Sequence, residues 1–145
     1  MRAVFRVLTS VLFVAIVVQV ALAAFGSFRA VHDSKATPLS QKSIESGFNA
    51  HVALGYVIVL LMLLMLVVAA AGRLEPTKVK LAGALFVLGI VQAILGMVSE
   101  SVPAIGPLHG INALAIYAVA GLLAHKSWTG DRRGAATSGG ASAGA

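Results

Sequence analysis

Two polar residue types stand out against the apolar background of this chain. His51 and His109 each sit near the start of an apolar run, and Gln19 and Gln92 each lie inside one. Neutral imidazole is the commonest metal ligand among side chains. Polar groups placed in hydrocarbon are costly and face a bundle interior. His32 lies in a polar stretch and His125 stands beside Lys126, so both read as solvated. The chain has no cysteine, which excludes disulfides, iron–sulfur clusters, thiolate zinc sites and covalent c-type haem attachment. It shows no nucleophile beside a base and no phosphate-binding loop, so no catalytic constellation is visible.

The elements that must position these residues follow from composition. Of 145 residues, 59% are hydrophobic and 11% charged, whereas a soluble domain carries about 25% charged residues. A membrane helix needs about 20 mostly apolar residues at about 1.5 Å each. Four segments meet this, at about 4–25, 48–72, 81–98 and 105–125. Backbone polar groups in lipid must be satisfied within the segment, so these are helices. The fold class is all-α: an integral membrane, up-and-down four-helix bundle occupying residues 1–128.

The net charge of +6 forms no single basic tract, so it points to membrane orientation and not to nucleic acid. Arg2, Arg6, Arg73, Lys78, Lys80, Lys126, Arg132 and Arg133 fall on one side of the bundle, and Arg29, Lys35 and Lys42 on the other. That bias places both termini in the cytoplasm of a multi-pass protein in a bacterial-type plasma membrane. The Gly/Ala/Ser-rich stretch 129–145 is expected to be a disordered cytoplasmic tail. The polar stretch from Gly26 to Gly47, which includes Pro38, is expected to be an outer loop that could serve as a lid. Arg2 and Arg6, an apolar run and Ala21-Leu22-Ala23 also resemble a cleaved signal peptide, but the run exceeds the usual 7–15 residues.

An internal repeat speaks for helix one as a structural element. Residues 12–22 and 85–95 agree at six of eleven positions, Phe13/Phe86 and Gln19/Gln92 included. The glutamines are 73 residues apart and the histidines 58, and a shorter second outer connection absorbs the difference of 15. The chain therefore reads as two helical hairpins running in the same direction, related by an axis along the membrane normal. Each carries Gln near the outer end of its first helix and His near the outer start of its second. In such a bundle the second and fourth helices face each other across the core.

Two opposed histidines on facing helices suit haem b, with His51 and His109 as axial ligands of the iron. The residue four after each landmark is small: Gly55, Ala113, Ala23 and Gly96. Side chains four apart share a helix face, so Gly55 and Ala113 would leave room for a flat porphyrin. Gln19 and Gln92 would bracket the ring edges or bond to each other, and Arg29 would pair with a propionate. The plain alternative is that small residues only allow close helix packing and the histidines act as polar glue. The function classes are then a haem-binding protein working in electron transfer or haem handling, a cofactor-free accessory subunit of a membrane complex, and a small transporter. The last is weakest, because no acidic residue lies inside any of the four apolar segments. A haem protein of this kind would exchange electrons with quinone or a respiratory complex.

Ala50-His51-Val52-Ala53-Leu54-Gly55 and Leu108-His109-Gly110-Ile111-Asn112-Ala113-Leu114 resemble the histidine segments of small, uncharacterised four-helix bacterial membrane proteins and of one half of haem A synthase. The resemblance covers residues 1 to about 128 in topology and implies haem bound by histidines of the second and fourth helices. The catalytic half of the synthase carries Glu four residues before the histidine and Arg directly after it. Here those places hold Gly47 and Val52 around His51, and Ile105 and Gly110 around His109. The resemblance thus implies haem binding through His51 and His109, and not synthase chemistry.

The distribution of basic residues makes topology testable. Reporter fusions should show the C-terminus on the cytoplasmic side and residues 30–45 on the opposite side. A C-terminal fusion active outside the cytoplasm would refute that orientation.

Overall fold

The structure, a computed structural model, describes residues 1–36 and 40–140, with side chains placed for 1–35 and 40–129. Helix α1 spans Arg2–Ala36, α2 Gln41–Ala71, α3 Pro76–Ser101 and α4 Gly106–Gly140, and a 3-10 turn at Pro103–Ile105 leads into α4. Among the described residues these four helices are each long and apolar enough to cross a membrane. Even α3, at 26 residues, measures roughly 39 Å at about 1.5 Å per residue, more than a hydrocarbon core of about 30 Å.

The helices form a square. α1 packs on α2 and α4, and α3 packs on the same two, while α1 and α3, like α2 and α4, lie across the diagonals. Large apolar side chains such as Val14, Val17, Leu60, Val87 and Leu114 project outward around the square. That is the surface a bilayer covers, and it makes the chain a multi-pass membrane protein.

The core repeats along with the sequence. Thr9, Leu12 and Ile16 of α1 are buried, and so are Ala82, Leu85 and Gly89 of α3, their counterparts 73 residues on. Ile58, Met62, Met65 and Ala69 of α2 are buried with Ile116, Ala120, Leu123 and Ser127 of α4, 58 residues on. Lipid offers no hydrophobic gain for helix association, so close packing and internal polar bonds must hold such a bundle. Volumes are traded accordingly. A Cβ on Gly89 would stand 2.6 Å from the Met62 sulfur. At the equivalent positions of the other half the large residue is Ile16 and the small one Ala120. The buried hydroxyls stay within their own helices, Thr9 donating to Arg6 O at 2.8 Å and Ser127 to Leu123 O at 2.7 Å. At the same end the Arg6 guanidinium lies 4.5 Å over the Trp128 ring, whose Nε1 donates to Ser10 Oγ at 3.1 Å. These contacts tie the first helix to the fourth.

The expected outer loop from Gly26 to Gly47 is instead mostly helix. α1 runs on to Ala36 and α2 begins at Gln41, and residues 37–39, Pro38 included, lie outside the described residues. Two features explain the extension. Gly26 and Gly47 are both buried where α1 meets α2, and a Cβ on Gly47 would lie 3.6 Å from Gly26 Cα, so the backbones touch. The polar residues also serve the helices themselves. Ser40 Oγ caps α2 by accepting from Ser43 N at 3.2 Å, Gln41 donates to Glu45 at 2.8 Å, and Arg29 pairs with Asp33 at 3.8 Å. At the other end α4 continues through part of the segment read as a tail, to Gly140, while 141–145 lie outside the described residues.

The α2–α3 connection is a Schellman turn. Leu74 N donates to Ala69 O at 3.0 Å and Arg73 N to Ala70 O at 3.1 Å. Arg73 occupies the left-handed position at φ 47°, where glycine is the usual residue. Replacing Arg73 with Gly should relieve about 1 kcal/mol of backbone strain. Thermal unfolding in detergent should show a modestly raised midpoint, and a lowered one would mean that the Arg73 side chain stabilises more than its backbone costs.

Candidate functional site

Gln19 of α1 and His51 of α2 face each other inside the first hairpin. Gln92 of α3 and His109 of α4 do the same in the second. Both histidines bond through Nδ1 to the backbone carbonyl of their glutamine, at 3.1 Å in each case. A carbonyl only accepts, so both Nδ1 atoms carry a proton. In a neutral ring the lone pair is then on Nε2. The repeat read from the sequence thus recurs in the hydrogen bonding.

The small residues house these polar groups. A Cβ at Gly55 would stand 3.2 Å from Gln19 Nε2, and one at Gly96 would stand 3.3 Å from His109 Cε1. Gly55 therefore accommodates the carboxamide of α1 and Gly96 the imidazole of α4. Gly55 faces its hairpin partner, where a porphyrin face had been expected. Ala113 is half-buried beside this layer. The glutamines neither meet each other nor bracket the pair of rings: each bonds within its own hairpin, because the antiparallel register sets Gln against the following His.

The two carboxamides differ in one respect. Gln92 Nε2 donates to His109 Nε2 at 3.0 Å, and its Oε1 accepts from Asn112 Nδ2 at 2.7 Å. Asn112 Nδ2 also reaches Leu88 O at 3.0 Å. Gln19 Nε2 donates instead to His51 O at 2.8 Å. Its Oε1 is buried without a partner among the described residues, and no hydrogen bond there reaches His51 Nε2. The residue equivalent to Asn112 in the first hairpin is Leu54, which has no amide to offer. Asn112 is the functional candidate that the sequence reading passed over. Its signal was an amide of the repeat whose counterpart, Leu54, is apolar.

Across the diagonal the two imidazole rings approach with centroids 6.4 Å apart and planes at 60°. Phe48 stands edge-on to His51 at 6.3 Å. A metal ion held between two such rings needs two bonds of about 2 Å each, and with the ring radii that gives a centroid separation of about 6 Å. Metal-bound histidine almost always donates its other N–H to a carbonyl, carboxylate or water, as both rings do here. Among the described residues no three His, Cys, Asp or Glu side chains gather to hold a metal. Two histidines alone would suit an iron only if its remaining ligands came from a macrocycle. Among the described residues Gln19 Oε1 and His51 Nε2 are both acceptors without a donor. Above Ile16, Ile58, Gly89 and Ile116 the described residues include no buried side chain except at the Gly26–Gly47 crossing. Fully buried residues thus concentrate toward the terminal end of the bundle, and the histidine layer is half-buried.

The remaining sequence candidates lie elsewhere. Arg29 is ten residues beyond Gln19, about 15 Å along the helix, and pairs with Asp33 beside Gly47. His32 is exposed next to Asp33, and His125 is exposed well along α4, 16 residues beyond His109.

A family model described as a family of unknown function (DUF6220) matches residues 43–98. The match takes in most of α2 and α3, with His51 and Gln92, and spans neither hairpin whole. No curated protein and no solved structure matches the chain.

The clasp predicts a cost for filling its niches. Replacing Gly96 with Val should drive the side chain into the His109 ring and destabilise the bundle by roughly 1–3 kcal/mol. Unfolding in detergent should show that loss, whereas Gly110→Ala, with nothing within 4 Å of its added Cβ, should be nearly neutral.

Proposed function

We propose that this chain is a small haem-binding membrane protein, with haem b held between His51 and His109. Bound there, the haem would supply one-electron chemistry. The observation that carries the reading is the matched pair of imidazoles, each fixed in the Nδ1–H tautomer by a carbonyl, with rings 6.4 Å apart across the bundle. The chain's own part would be to fix both rings through their Nδ1–H bonds and to shield them among apolar helices. It would act in electron transfer or haem handling in a bacterial-type plasma membrane, with quinone or a respiratory complex as its partner. The basic-residue bias supports the orientation, termini inward and histidine layer toward the outer face.

A second reading, a cofactor-free accessory subunit, draws on the same bonds. A histidine that donates to one carbonyl and accepts from Gln92 is already satisfied as a clasp between helices. Absorption spectroscopy separates the two. Protein purified from haem-supplemented cells should show a Soret band and a reduced-minus-oxidised difference spectrum. His51→Ala or His109→Ala should remove the low-spin component, and the double variant should remove the bound haem. His125→Ala should change nothing, since it lies 16 residues from His109, about 24 Å along α4. Wild-type protein without a Soret band would leave the accessory reading in place.

A further inference from the structure

The two histidines are equal by repeat and unequal by surroundings. His51 Nε2 is open, whereas His109 Nε2 accepts from Gln92. Gln92 is held in that pose because its other end accepts from Asn112, which is braced in turn on Leu88 O. In the first hairpin Leu54 replaces the brace, and the carboxamide of Gln19 turns to the backbone of His51 instead. A single amide thus decides which way each glutamine points.

We infer that Gln92, braced by Asn112, is a removable cap on His109, so that His51 is the standing ligand and His109 the conditional one. The inference rests on the haem reading above. The lone pair that would bind iron is the one that now accepts the Gln92 proton, and it cannot serve both. Ligation by His109 requires the carboxamide to swing off Nε2 and give up its bond to Asn112. With the cap in place His51 alone would hold the iron and leave room for a small exogenous ligand; with the cap displaced His109 would hold it as well. Gln92 and Asn112 are positioning residues, since they set this balance without touching the iron.

The chain supplies its own control. Asn112→Leu rebuilds in the second hairpin the side chain that the first already carries at Leu54, so the bundle has a precedent for it. The reciprocal change, Leu54→Asn, offers a donor to the orphaned Gln19 Oε1 and should turn its amide toward His51 Nε2. One net hydrogen bond shifts an equilibrium by roughly 2- to 10-fold.

The experiment compares wild type, Asn112→Leu and Leu54→Asn, each loaded with haem b in detergent. Ferric spectra report the six-coordinate low-spin fraction, and ferrous carbon monoxide binding reports the open position. Wild type should show a mixture of coordination states. Asn112→Leu should raise the low-spin to high-spin ratio and lower the rate of carbon monoxide binding, each by roughly 2- to 10-fold. Leu54→Asn should weaken haem binding by a similar factor. A Soret band with spin state and carbon monoxide kinetics unchanged by Asn112→Leu would overturn the cap and leave haem binding intact. No Soret band in any of the three would overturn the haem reading and the cap with it.

Discussion

A polar side chain set into a hydrocarbon-spanning helix has to find its partner inside the bundle, because neither lipid nor water will supply one there. The arrangement of this protein follows from how that demand is met. Each hairpin places a glutamine on its first helix and a histidine on its second at the depth where the two meet. The imidazole N–H then goes to the glutamine carbonyl at 3.1 Å in both. A carbonyl that already serves its own helix accepts a second bond, so the contact fixes hairpin register and ring tautomer together. Gly55 and Gly96 are small because the groups they face must come that close.

Below this layer the bundle is held by volume. The buried residues of one hairpin map onto those of the other along the same offsets that relate the glutamines and histidines. Large and small side chains exchange places between the halves, as Met62 against Gly89 shows. Above the layer α1 and α2 meet where Gly26 lies against Gly47, and the polar side chains there bond within their own helices. Duplicating one hairpin accounts for both levels. It also makes an unmatched amide, Asn112 opposite Leu54, conspicuous. It is the point where the two halves are tuned differently.

Much of this was legible in the sequence, for particular reasons. Four apolar runs gave four helices, because nothing but a helix satisfies its backbone alone in lipid. The coincident Phe and Gln of residues 12–22 and 85–95, with histidines at 51 and 109, gave the repeat and placed both histidines on diagonal helices. Three things were not legible. Hydropathy reports the bilayer and not the helix, so the extensions to Ala36 and from Gln41 read as a loop. Helical spacing assigns a face but not a torsion, so it missed that each glutamine serves its own hairpin and that Gly55 receives a carboxamide. Asn112 stood in the sequence only as part of the segment around His109, and its task depends on where Gln92 Oε1 points, which only coordinates show.

The hairpins are alike in register but unlike in height. α1 continues 17 residues beyond Gln19 to Ala36, while α3 ends nine beyond Gln92 at Ser101, a difference of about 12 Å at 1.5 Å per residue. The end of the bundle away from the termini is therefore stepped rather than level. Water, a small ligand or a docking protein arriving at that end has a short route to His109 over the low pair, α3 and α4. Toward His51 it meets the tall wall of α1 and α2, closed at its root where Gly26 lies on Gly47. Two sites that are equivalent along the chain are thus approached from unequal depths.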